Sequence, residues 1–137
     1  MKNITLLGLT ASPYQLKMQA LADYSALPWR RLPDQGGTLD NLRTLSRLNR
    51  AKRRGHIQRY PEAMNALDEY PAVPFYSFDR VEFFYDSSAF AKHLDDLALC
   101  RAPLLPDGPE LRFVCRLLDE AFDGFGLYRV HHNRWVT

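Results

Sequence analysis

The stretch "ITLLGLTASPYQLKMQAL", residues 4–21, changes its hydrophobic period within a few residues, and that change constrains the fold more than any other feature. Ile4 to Leu9 is aliphatic, β-branched at Ile4 and Thr5, and stopped by Thr-Ala-Ser-Pro, which predicts a short buried strand. From Pro13 onward, Tyr14, Met18, Leu21 and Ala22 recur at i, i+4, i+7 and i+8, the spacing of one helical face. Ser12 falls at the N-cap and Pro13 at the first helical position.

The alternation continues. The first helix ends before Pro28, Pro28 to Leu32 predicts a second strand, and "PDQGG" breaks regular structure. Leu39, Leu42, Leu45 and Leu48 recur every three residues opposite a basic side, which predicts a helix from Leu39 to about Arg54, ended by Gly55. A shorter helical turn follows Pro61, and Val73 is extended because a residue before proline avoids the α region. Two aromatic runs, Phe75 to Phe78 and Val81 to Tyr85, flank Asp79-Arg80 as an antiparallel hairpin. A third helix starts with Ser87 or Ser88 as N-cap and carries Ala89, Phe90, His93, Leu94 and Leu97 on one stripe. "CRAPLLPDGPE", with three prolines and a glycine, marks the domain boundary. The fourth helix turns Leu111, Val114, Cys115, Leu118 and Ala121 inward.

Composition narrows the classes. Hydrophobic residues at 46% and charged residues at 25% are globular values, and no apolar run approaches the roughly 18 residues a membrane span needs. The N-terminus lacks a signal-peptide pattern. Cys100 and Cys115 form no metal-ligand spacing and read as reduced thiols, so the expectation is a soluble, cytoplasmic chain without metal. Between Asn41 and Pro61 lie Arg43, Arg47, Arg50, Lys52, Arg53, Arg54 and Arg59 with no acidic residue, although the formal net charge is only +2. A solvated helix face explains this run, and nucleic-acid binding is disfavoured because no recognition motif accompanies it. His131 and His132 are adjacent, point apart on a helix, and have no ligand cluster nearby.

The order β-α-β-α-β-β-α, with "SPYQLKMQ" at the first helix, "AVPF" before the third strand and "YDSSAFAKHL" at the third helix, resembles the N-terminal thioredoxin-like domain of the cytosolic glutathione transferases. The last stretch is similar to that family's E-S-x-A-I-x-x-Y-L pattern, with Asp86 in place of the more usual Glu. The resemblance implies an α/β, thioredoxin-like βαβαββα domain with a four-stranded mixed sheet over residues 1–99, including an extended helical segment at about 36–70. A linker at 100–108 and the start of a truncated all-α domain at 109–137 complete the expected organisation.

The resemblance also implies a function: a glutathione S-transferase-like enzyme, with glutathione as cosubstrate, an electrophile as second substrate, and a homodimer as the family's common assembly. Val73 would bind the cysteinyl part of the tripeptide, with Pro74, cis in the family, fixing the geometry. Asp86 and Ser87 would grip the γ-glutamyl group. Ser12 would stabilise the thiolate, with Tyr14 as the second candidate hydroxyl. Physical chemistry supports such assignments independently: an exposed strand edge pairs with a peptide, and a helix N-terminus favours a carboxylate. A thiol of pKa about 8.5 needs about 2.7 kcal/mol of preferential anion stabilisation to fall by two units. The short helical part leaves little of a second-substrate pocket, so the chain can bind glutathione without catalysing. The alternatives are an inactive fragment of a transferase and a non-catalytic interaction module of the same fold.

Overall fold

β1 (Ile4–Leu7) is buried at all four positions, as an aliphatic, partly β-branched tetrapeptide is at the centre of a sheet. It lies in a computed structural model that describes residues 3–9, 12–61, 73–100 and 102–135, divided into compact units Met1–Ala102 and Pro103–Thr137. In the first unit β1 is followed by α1 (Pro13–Tyr24), β2 (Trp29–Leu32), α2 (Thr38–Arg53), β3 (Ile57–Arg59), β4 (Phe75–Ser77), β5 (Phe83–Tyr85) and α3 (Ser87–Asp96). The sheet order is β2-β1-β4-β5-β3. β1 is parallel to β2 and β3 to β5, while β4 runs antiparallel to both β1 and β5. The fold is thioredoxin-like with a mixed sheet, and it has five strands rather than the expected four. The added strand, β3, is Ile-Gln-Arg, with Ile57 buried and Gln58 exposed, too short for its alternation to register as a period.

Each face of the sheet has its own cover. Leu7, Leu32, Ile57, Phe75, Phe83 and Tyr85 form one face, and Leu48 of α2 packs on them with Leu45 and Ala51. On the other face Leu6 pairs with Tyr76, and Tyr76 with Phe84. α3 lies there, its Phe90 ring 4.7 Å from the Tyr76 ring, and α1 packs beside α3.

The helices correct several expectations. α1 buries Gln15, Met18 and Ala22, while Tyr14 and Leu21 are half-buried. α2 buries Thr44 and Leu48, but Leu39 and Leu42 are 83% and 61% exposed. A three-residue step falls about 60° short of a full turn, so leucines at that spacing wind round a helix instead of lining one face. Gly55, at φ 67°, takes the left-handed position just past the helix end. The N-cap of α3 is Asp86, not Ser87 or Ser88. The hairpin strands are also shorter than the aromatic runs, because Asp79 organises a longer turn: its Oδ1 accepts the N–H groups of Val81 and Glu82 at 2.8 and 2.9 Å. The helical turn expected after Pro61 lies outside the described residues.

In the second unit α4 (Pro109–Trp135) is a single long helix. The stripe expected to face inward is exposed: Leu111, Val114 and Leu118 keep 62%, 46% and 52% of their surface, and among the described residues this unit has no second helix or strand. Among the described residues no helix is long and apolar enough to cross a membrane.

Candidate functional site

Strand register gathers the candidate residues at one end of the sheet. Leu7, the last residue of β1, pairs with Phe75, the first of β4; Phe75 pairs with Tyr85, the last of β5; and Tyr85 pairs with Arg59, the last of β3. The segments that leave β1 and β5 and the one that enters β4 therefore meet there. Ser12, Val73, Pro74, Asp86 and Ser87 lie on these segments, and α1 and α3 both begin at this end.

Ser12 occupies the N-cap position in extended conformation, φ −75° and ψ 125°. Its N–H donates to Leu9 O at 3.0 Å and its carbonyl accepts from Leu16 N–H at 3.1 Å. The side chain makes no capping hydrogen bond, so the half-buried hydroxyl is not spent on the helix. Tyr14, one residue inside the helix, is half-buried.

Gln15 is the residue whose importance the sequence concealed. It is fully buried, and neither amide atom has a hydrogen-bond partner among the described residues. Its carbonyl oxygen fills space that only a glycine at position 8 leaves: a Cβ there would collide with Gln15 Oε1 and lie 2.9 Å from Pro74 Cβ. The β1–α1 connection, Gln15 and Pro74 thus pack as one unit. Pro74 is buried, Val73 is 49% exposed, and the bond between them is cis.

Asp86 has φ 78° and caps α3 through its side chain. Oδ1 accepts Ser88 N–H at 2.8 Å and Ala89 N–H at 3.1 Å. Oδ2 meets Arg59 Nη2 at 2.6 Å, so the added strand delivers a guanidinium to the start of α3. Ser87, 4% exposed, forms no side-chain hydrogen bond among the described residues. From the α1 side, Lys17 Nζ donates to Ser88 Oγ at 3.0 Å.

Arg59 and Lys17 were not among the residues expected at this site. Arg59 stood in the sequence as one base in a run of seven, and only β3 separates it from the helical ones. Lys17 gave no signal beyond its place one turn after Pro13.

Behind the site lies an aromatic cluster. The Tyr60 ring stacks on His93 at 3.8 Å with an interplanar angle of 3°, and the Tyr76 hydroxyl and His93 Nδ1 are 3.1 Å apart. Burial, then the nearby Asp86 carboxylate and Tyr60, push the Tyr76 hydroxyl far above its ordinary range. Burial and the hydrogen-bonded Asp96 carboxylate raise Tyr60 as well. Among the described residues no group of three His, Cys, Asp or Glu side chains is arranged to hold a metal.

The architecture has counterparts among solved structures. A glutathione transferase homologue from Burkholderia gl BGR1, crystallised with bound glutathione, superposes with a TM-score of 0.55 and 19% identity over 90% of this chain and 55% of its own. A Tau class glutathione S-transferase from mango, Mangifera indica, gives 0.54 and 14% over 88% and 46%. The fold is therefore glutathione transferase-like, and the chain spans about half the length of these two proteins. No family model and no curated protein matches the sequence.

Proposed function

We propose that this chain binds glutathione at the shared end of its strands and holds the thiol as a thiolate for conjugation to an electrophile. The observation that carries the proposal is the uncommitted Ser12 hydroxyl at the start of α1, on the sheet end where Val73 and the start of α3 also lie. The exposed Val73 backbone would pair with the cysteinyl residue, with Pro74 setting the approach. Asp86 and Ser87 would hold the γ-glutamyl end. Ser12 Oγ–H would donate to the sulfur, and the partial positive charge of the α1 N-terminus would add to it. The thiolate would then form a carbon–sulfur bond as the electrophile's leaving group departs with its electron pair. A homologue of this fold crystallised with glutathione supports the ligand class.

Isothermal titration with glutathione tests the binding. Micromolar to low-millimolar affinity that weakens in Ser87→Ala is the expected result, and no heat at several millimolar glutathione overturns the proposal. For the catalytic role, Ser12→Ala should raise the pKa of the bound thiol, followed by thiolate absorbance.

A second reading, a non-catalytic interaction module, is favoured by one observation: Leu39 and Leu42 are exposed on the same helix as Arg43, Arg47, Arg50 and Arg53. A chain that is silent towards glutathione yet binds an acidic polypeptide through α2 would establish it.

A further inference from the structure

Ser12-Pro13-Tyr14-Gln15 has the S-x-x-Q spacing of a capping box, in which the N-cap hydroxyl accepts the backbone N–H three residues on and the glutamine side chain reaches back to the N-cap N–H. Neither half of the box forms. The Ser12 hydroxyl makes no capping bond, and the Ser12 N–H donates to Leu9 O at 3.0 Å instead. Gln15 is 0% exposed, and among the described residues neither Nε2 nor Oε1 has a hydrogen-bond partner. Two polar side chains one turn apart on the same side of α1 are thus both withheld from the helix they begin.

Holding Gln15 in this way is unfavourable twice over. A buried amide without a partner destabilises a fold, and a methionine would fill the same volume without that penalty. The carbonyl oxygen also restricts position 8 to glycine, because a Cβ there would collide with Oε1. Oε1 is the amide atom that meets Gly8, which leaves Nε2, with its two N–H groups, for another acceptor. The geometry of a capping box brings the side chains of its two end residues within reach of one another's positions, so the acceptor at hand is Ser12 Oγ. A hydroxyl has one proton and two lone pairs, and its rotor can aim that proton at any nearby acceptor. A donor placed on the oxygen fixes the rotor, and hydrogen bonds in a chain polarise one another.

We infer that Gln15 is a positioning residue for Ser12: its Nε2–H donates to Ser12 Oγ when glutathione is bound, so that the one hydroxyl proton is turned to the sulfur and donates to it more strongly. This role rests on the glutathione reading of the site and adds to it a buried residue that touches neither the ligand nor the reacting atoms. It gives a reason for a fold that keeps a destabilising side chain between Gly8 and Pro74.

The experiment follows the pKa of the bound thiol by thiolate absorbance in the full chain carrying Gln15→Met, Ser12→Ala or both, with urea denaturation of the same samples. Gln15→Met should raise that pKa by about 0.5–1 unit, the scale of one hydrogen bond, while the folded chain becomes more resistant to urea. A glutamine that only fills space would move the urea midpoint alone. In the Ser12→Ala background the same substitution should shift the thiol by less than about 0.2 unit, because its route through Oγ is gone. Gln15→Leu, which also removes the amide, repeats the measurement should Gln15→Met fail to fold. An unchanged thiol pKa in a folded Gln15→Met chain that binds glutathione overturns the inference and leaves the glutathione reading intact, as does a full shift in the Ser12→Ala background. A wild-type chain silent towards glutathione, or a bound thiol indifferent to Ser12→Ala, overturns both.

Discussion

Gln15 and Gly8 share one space: the amide oxygen of the fully buried glutamine occupies the volume that any side chain at position 8 would claim. This contact ties the first turn of α1 to the end of β1, and through Pro74 to the start of β4.

Two substitutions probe that contact. Gly8→Ala forces its new methyl group against Gln15 and Pro74, and should cost about 1–3 kcal/mol, the range for overpacking a filled interior. Gln15→Met removes a buried amide without a partner while keeping its volume, and should stabilise the chain by about 1 kcal/mol. Urea denaturation of both, and of the double variant, checks this; the double variant should lose less than the sum, because the residues touch.

Ser12 and Asp86 sit at equivalent helix positions and should respond differently. The Ser12 hydroxyl caps nothing, so Ser12→Ala should change stability by less than about 0.5 kcal/mol, against about 1 kcal/mol for a bonded cap. Asp86→Ala removes two capping bonds and the ion pair with Arg59, and should cost about 2–3 kcal/mol. Thermal melts of the two variants measure the contrast.

Tyr76 carries the alkaline limb of stability. Its folded-state pKa is raised by burial first, so its contribution is fully present below the unfolded value of about 10 and is lost as pH rises beyond it. The Tyr76 share of the unfolding free energy should therefore be constant below about pH 10 and fall above it. Tyr76→Phe should flatten that fall and cost about 1–2 kcal/mol at neutral pH, because it removes the buried hydrogen bond with His93 Nδ1.

Asp79 acts at the opposite extreme. Burial alone would raise its pKa, but the N–H groups of Val81 and Glu82 and the Ser77 hydroxyl outweigh it and hold the carboxyl below its ordinary range. Its contribution is present above about pH 4 and is lost as pH falls through the lower folded value. Asp79→Ala should cost about 1 kcal/mol at neutral pH, a modest effect because the residue is exposed, and should remove part of the acid dependence of unfolding.

The parts of this fold that were legible in the sequence are those where a period runs long enough to count. β1, α1, the β4–β5 hairpin and α3 each announce themselves by aliphatic, aromatic or helical spacing closed by proline or a capping residue. β3 was illegible because three residues hold only one and a half alternations, and with it went Arg59, whose role depends on strand pairing across the sheet. Gln15 shows a second limit. Its type argues for a surface, and its burial follows from a space between Gly8 and Pro74 that exists only after β1 and β4 have paired. The exposed Leu39 and Leu42 show a third, because a regular leucine spacing is not the same as a straight face. That "SPYQ", "AVPF" and "YDSS" belong at one end of a sheet was legible; the ion pair at the start of α3 was not, since the partner of Asp86 comes from 27 positions earlier in the chain.

α2 leaves the sheet at one edge, β2, and returns to it at the other, β3. The apolar cluster beneath it takes at least one side chain from every strand: Leu7, Leu32, Ile57, Phe75 and Phe83. Releasing either outer strand should therefore free one end of α2 and open the cluster that Leu48 shares with the other strands, so that neither edge peels off alone. In native-state hydrogen exchange the protected amides of the five strands and of the second half of α2 should open together, with one common free energy and one dependence on denaturant.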